Sequence, residues 1–139
     1  MNNKATKFQE YLTTNNITGF NFEEFNDEFN TVIFRSSIVV KGQQLPMAII
    51  LDDSIYRMIR VQLISSVENT EKVVSFLNKL NAKYKSYKFY LTQQNDLILD
   101  SCIMGEDDDE SKIIIAVLNN IIKQMQDEYS ELMNIVWSK

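Results

Sequence analysis

The chain has 139 residues, of which 45% are hydrophobic and 24% charged, and its formal net charge is −5. That length suits one domain with a core needing neither disulfides nor metal, and the composition excludes wholesale disorder. The acidic balance runs against a phosphate-neutralising surface, and no window approaches the ~20 apolar residues of a membrane span. Neither nucleic acid nor a membrane is therefore an expected partner.

Three glycines and one proline leave little material for linkers, so a single domain is expected over 1–139. Cys102 is the only cysteine. No intramolecular disulfide can form, and a reducing compartment is compatible with that. The first residues run Met1-Asn2-Asn3-Lys4-Ala5-Thr6-Lys7 into Phe8-Gln9-Glu10-Tyr11-Leu12, which lacks the apolar run of an ordinary signal peptide. A cytoplasmic location is the expectation.

Lys4–Asn15 reads as a first helix, because Ala5, Phe8, Tyr11 and Leu12 share one face and Asn15-Asn16 suits its end. The aromatic stretch that follows fits two periods. Phe20 and Phe22 have strand spacing, whereas Phe22, Phe25 and Phe29 have helical spacing. From Thr31 the period is two: Val32, Phe34, Ile38 and Val40 point one way, interrupted by Ser36. Gly42-Gln43-Gln44 reads as a turn, and Leu45, Met47, Ile49 and Leu51 as a second strand with Pro46 near its start. Asp52-Asp53-Ser54 is turn chemistry, since short polar side chains bond the local backbone. Ile55, Ile59, Val61 and Leu63 form the inward face of a third strand, with Arg57 as an exception.

A helix is expected over Asn69–Ala82, capped by Asn69 or Thr70, with Val73, Phe76, Leu77, Leu80 and Tyr84 as its stripe. Lys88–Thr92 and Leu97–Met104 read as a hairpin around Gln94-Asn95-Asp96. Its inward residues are Phe89, Leu91, Leu97, Leu99 and Ile103. A long helix closes the chain from about Asp109 to Trp137, with Ile114, Leu118, Ile121, Met125, Tyr129, Leu132 and Val136 among its apolar stripe. The expected class is α+β, an antiparallel sheet with the order α-β-β-β-α-β-β-α.

That order is the one seen in the type III secretion chaperone-like fold. Gly42-Gln43-Gln44-Leu45-Pro46, Leu51-Asp52-Asp53-Ser54-Ile55-Tyr56 and Asn78-Lys79-Leu80-Asn81-Ala82-Lys83-Tyr84 resemble the YbjN-like family. Lys88-Phe89-Tyr90-Leu91, Leu99-Asp100-Ser101 and the closing Tyr129…Trp137 resemble it too, so the similarity runs from about Phe22 onward. The family is described as bacterial sensory-transduction regulators. The resemblance implies binding of other proteins, often as a dimer, and brings no catalytic residues with it.

Histidine is absent from the chain. This removes Ser-His-Asp and Cys-His catalysis and histidine-ligated zinc, and one cysteine cannot build a thiolate site. No phosphate-cradling glycine loop is present either. No catalytic residue, cofactor or metal is expected. Cys102, offset from the inward series, reads as an inert thiol. The run Glu106-Asp107-Asp108-Asp109-Glu110 fails as an EF-hand, because the sixth and twelfth positions from Asp107 are Lys112 and Leu118. A place at the start of the long helix suits those carboxylates better. Asp52, Asp53 and Asp100 could be imagined as a carboxylate cluster, although Asp52-Asp53 is needed by its turn. Lys79, Lys83, Lys85 and Lys88 have the spacing of a solvated face.

The candidate binding surface is the side of the sheet turned away from Val32, Phe34, Met47, Ile49, Ile59 and Val61. Ile33, Arg35, Val39, Ile50, Tyr56, Met58, Arg60 and Ile64 lie there. That mixture of apolar, aromatic and arginine side chains is what interface cores favour. Arg35, Ile50, Tyr56, Met58 and Arg60 are the candidate partner-binding residues, for a protein partner or a second copy in a homodimer. The alternative reading is a small-ligand sensor with a pocket between the sheet and the last helix.

Overall fold

The computed structural model describes residues 1–138. Three helices and six strands follow in the order α1 (Asn3–Thr14), β1 (Asn21–Glu24), β2 (Val32–Val40), β3 (Gln43–Leu51), β4 (Tyr56–Ile64), α2 (Thr70–Lys83), β5 (Tyr87–Leu91), β6 (Leu97–Met104) and α3 (Ser111–Val136). The strands form one antiparallel sheet ordered β1-β2-β3-β4-β6-β5. The α+β class is as expected, with one further strand. β1 comes from the aromatic stretch that fitted two periods. Strand spacing prevails there, and Phe22 pairs with Phe34 while Asp27 accepts from the Thr31 amide at 2.8 Å to close the hairpin loop.

Alternation along β2, β3 and β4 puts Val32, Phe34, Ile38, Val40, Leu45, Met47, Ile49, Leu51, Ile59, Val61 and Leu63 in the core. They share one cluster with Phe8 and Leu12 of α1, Phe76 and Leu80 of α2, and Ile121, Met125 and Leu132 of α3. All three helices therefore lie on the same face of the sheet. Burial of so many apolar side chains, at roughly 1.5–3 kcal/mol for each large one, is the main force holding the layers together.

Several local expectations need correction. The β2–β3 turn falls one residue earlier, at Lys41 and Gly42, with Val40 paired to Gln43. Both turn residues have positive φ, 49° and 76°, the type I′ geometry that matches strand twist. Asn69 precedes α2 without capping it, because its amide donates instead to the Ile135 and Ser138 carbonyls at 3.1 and 3.0 Å. Ile55 lies before β4 and is exposed. α3 starts at Ser111 rather than about Asp109, so the Glu106–Glu110 run sits just before the helix, as expected, with Glu110 at the N-cap position.

Two stretches of free strand edge are met by helix side chains. Asn81 of α2 donates to the Phe89 carbonyl at 3.1 Å and accepts its amide at 2.8 Å, completing the outer edge of β5. Gln126 of α3 accepts from the Lys41 amide at 3.0 Å and donates to the Val39 carbonyl at 3.3 Å, beyond the reach of β1. An amide so placed imitates a neighbouring strand while blocking a real one.

Arg57 keeps the inward register of β4 and is only 1% exposed. Its guanidinium donates to the carbonyls of Ile55 at 3.4 Å, Gly105 at 3.1 Å and Asp107. It thereby ties the acidic loop to the β4 start. Lys4 is buried beside it, donating to the Ser54 carbonyl and to that of Tyr56 at 3.2 Å, and burial with Arg57 nearby lowers its pKa. Asn2 caps α1 by accepting from the Ala5 amide at 2.8 Å and donates to the Leu51 carbonyl at 3.0 Å. The first helix is thus stitched to the β3–β4 turn by polar groups, while Phe8 packs against Phe20 and Phe34.

Replacing Arg57 by alanine should cost about 2–4 kcal/mol, the order expected for orphaned buried carbonyls plus a cavity. Urea unfolding measures this directly. A loss under about 0.5 kcal/mol, the range of ordinary surface substitutions, would show that the carbonyls are satisfied some other way.

Candidate functional site

The outer face of the sheet is where sequence patterning and structure converge. Cross-strand partners align Ile33, Ile50, Met58 and Cys102 in one row. A second row holds Arg35, Ala48, Arg60, Asp100 and Lys88. Tyr56 pairs with Met104 one step further along and is 47% exposed. Arg35, Ile50, Tyr56, Met58 and Arg60 therefore share one face, as the alternation requires. Ile33, Ile50 and Met58 lie outside the core cluster beneath the helices. Ile64 does not join them. A register shift between Gln62 and Ile64 turns it toward the core, where it packs beside the helices.

This face is not flat. The chain leaving α2 rises beside it and makes a groove of about 710 Å³. Ile50, Met58, Tyr56 and Cys102 line it together with Asn81, Tyr84, Lys85 and Lys88. The wall formed by α2 and the α2–β5 connection is the part that strand patterning misses. The lysine series supplied a faint signal. Lys83 pairs with Glu128 of α3 at 2.8 Å, whereas Lys85 and Lys88 line the groove.

Beside the apolar row sits a closed polar network. Asp100, 5% exposed, accepts from Arg60 Nε at 2.8 Å and a terminal Arg60 nitrogen at 3.0 Å. Tyr90 donates to the same carboxylate at 2.7 Å. The bidentate pair holds Arg60 more firmly protonated, and burial followed by the Asp100 bond raises the Tyr90 phenol. Arg35 is held by Glu23 at 3.1 Å. Cys102 lies exposed on this face, but partial burial raises its thiol pKa against the opposing effect of Lys88. The thiolate that reactivity needs is thus less populated than in a free cysteine.

Asp52 and Asp53 hold the β3–β4 turn, where Asp52 accepts from the Ser54 amide at 2.9 Å, while Asp100 is taken up by Arg60 and Tyr90. Among the described residues no group of three or more potential ligands could hold a metal ion. No helix among them is long and apolar enough to cross a membrane. The middle of the layer between sheet and α3 is filled by Ile121, Met125 and Leu132, whereas toward the end of α3 a cleft of about 500 Å³ opens, lined by Leu63, Ile64, Tyr129, Met133 and Trp137. No protein-family model and no curated protein matches the chain.

At the far wall Tyr84 and Tyr87 stack at 5.3 Å, and the Tyr87 hydroxyl bonds Gln124 of α3. Burial pushes the Tyr87 phenol well up, with Tyr84 and Glu128 adding to the shift. A raised phenol favours the neutral form in the folded state. Its contribution is complete below the unfolded pKa of about 10 and is lost as pH rises above that value. Urea midpoints should therefore fall through the alkaline range, and less steeply in Tyr87→Phe. Equal slopes in the two proteins would contradict this.

Proposed function

We propose that this chain is a non-catalytic protein-binding module whose docking surface is the helix-free face of the sheet. One observation carries the reading. The apolar row Ile33, Ile50 and Met58 lies outside the core, and its latter two members line the 710 Å³ groove. Apolar and aromatic side chains clustered in a concavity mark interaction sites more often than scattered surface hydrophobics do. The lack of histidine and the raised Cys102 thiol support a role without catalysis. The resemblance to YbjN-like regulators and secretion chaperones favours the same class, and the single cysteine accords with a cytoplasmic setting.

The occupant we favour is an apolar segment of a foreign protein. A two-fold homodimer through this surface would set groove against groove and leave both incompletely filled, whereas interface cores pack as densely as interiors. A convex segment entering the groove avoids that void. Arg60, held rigid by Asp100, and Tyr56 would flank it.

The test compares wild type, Met58→Asp and a control, Ser130→Asp on the exposed side of α3, in quantitative pull-downs from the native cell. All three should melt alike and run as monomers in chromatography with light scattering. A partner kept by the control and lost by Met58→Asp is the expected result. Identical recoveries would refute the assignment of this face. A wild-type dimer split by Met58→Asp would give the surface to a second copy instead.

A further inference from the structure

We infer that the segment docking on this face is acidic as well as apolar, with an Asp or Glu seated at Lys85 and Lys88. The inference rests on the outer face being a docking surface and concerns the chemistry of what docks there.

Both arginines of the outer face are neutralised, Arg35 by Glu23 at 3.1 Å and Arg60 by Asp100 at 2.8 Å. Lys83, nearby in sequence, is neutralised by Glu128. Among the described residues, the side chains of Lys85 and Lys88 form neither a hydrogen bond nor an ion pair. A single exposed lysine would mean nothing, but these two line the same groove as Ile50 and Met58.

Neither of the groove's own carboxylates, Asp52 and Asp100, pairs with them. Asp100 is neutralised by Arg60 and also accepts from Tyr90, while Asp52 accepts from the Ser54 amide and lies in the field of the buried Lys4. Asn81, on the same wall, is spent in both directions on the Phe89 backbone. What the groove presents is therefore an apolar floor with two uncompensated ammonium groups along one side. A carboxylate brought there gains charge-assisted hydrogen bonds, and the lysines raise the on-rate of acidic partners while disfavouring basic ones. The complementary ligand is a segment carrying Asp or Glu within a residue or two of a large apolar side chain.

Selection of displayed random peptides on the immobilised full chain tests this, with Lys85→Glu/Lys88→Glu and Met58→Asp proteins run in parallel. Wild type should enrich peptides pairing an acid with apolar residues. A synthetic copy of an enriched peptide should bind the double-lysine variant at least about tenfold more weakly, and bind wild type more weakly as salt is added. The double variant should itself enrich basic peptides. Peptides lost on Met58→Asp but bound equally by the double variant would overturn the acidic requirement and leave the docking face standing. No enrichment, or binding indifferent to Met58→Asp, would overturn both.

Discussion

One-sided burial is the constraint on which the rest of this structure depends. The sheet alternates so consistently that one face carries Val32, Phe34, Ile49, Leu51, Ile59, Val61, Leu97 and Leu99, all but inaccessible to solvent. All three helices are consumed in covering that face. The opposite face has no helix left to cover it. Its residues nevertheless include Ile33, Ile50, Met58 and a buried Ile98 that stands apart from the core cluster. An apolar row left over by the packing of the rest is what gives this domain a candidate surface.

Polar groups then decide how rigidly that surface is presented. Arg57 and Lys4, both buried, grip backbone carbonyls at the β3–β4 turn and the acidic loop, fixing one end of the groove. The Arg60–Asp100–Tyr90 network locks β4, β6 and β5 together on the outer side. Such networks are costly when half-satisfied and stiffening when complete. Among the described residues no buried side-chain polar atom lacks a partner. A preformed groove loses less entropy on binding than a mobile one.

Much of this was legible from periodicity, and the misses have identifiable causes. The faces of Arg35, Ile50, Tyr56, Met58 and Arg60 follow from period two alone, because each strand is long enough to alternate several times. β1 escaped because all four of its residues are exposed, leaving no alternation to read. Ile64 changed sides through a single register shift, which flips every later residue and leaves no trace in composition. Lys41 adopts positive φ although lysine has no preference for it, so the turn looked one residue later. The groove wall was invisible for a deeper reason. Tyr84, Lys85 and Lys88 meet Ile50 and Met58 only through the β4–β6–β5 pairing, a long-range arrangement that no local pattern encodes.

The most direct test of the account is electron paramagnetic resonance of a nitroxide on Cys102, the chain's only cysteine and a groove-lining residue. If the outer face stands uncovered in the isolated protein, the label is open to paramagnetic relaxation agents and shows no coupling between molecules. An occluded label with a defined intermolecular distance would contradict the account, because it would show this face already closed by a second copy.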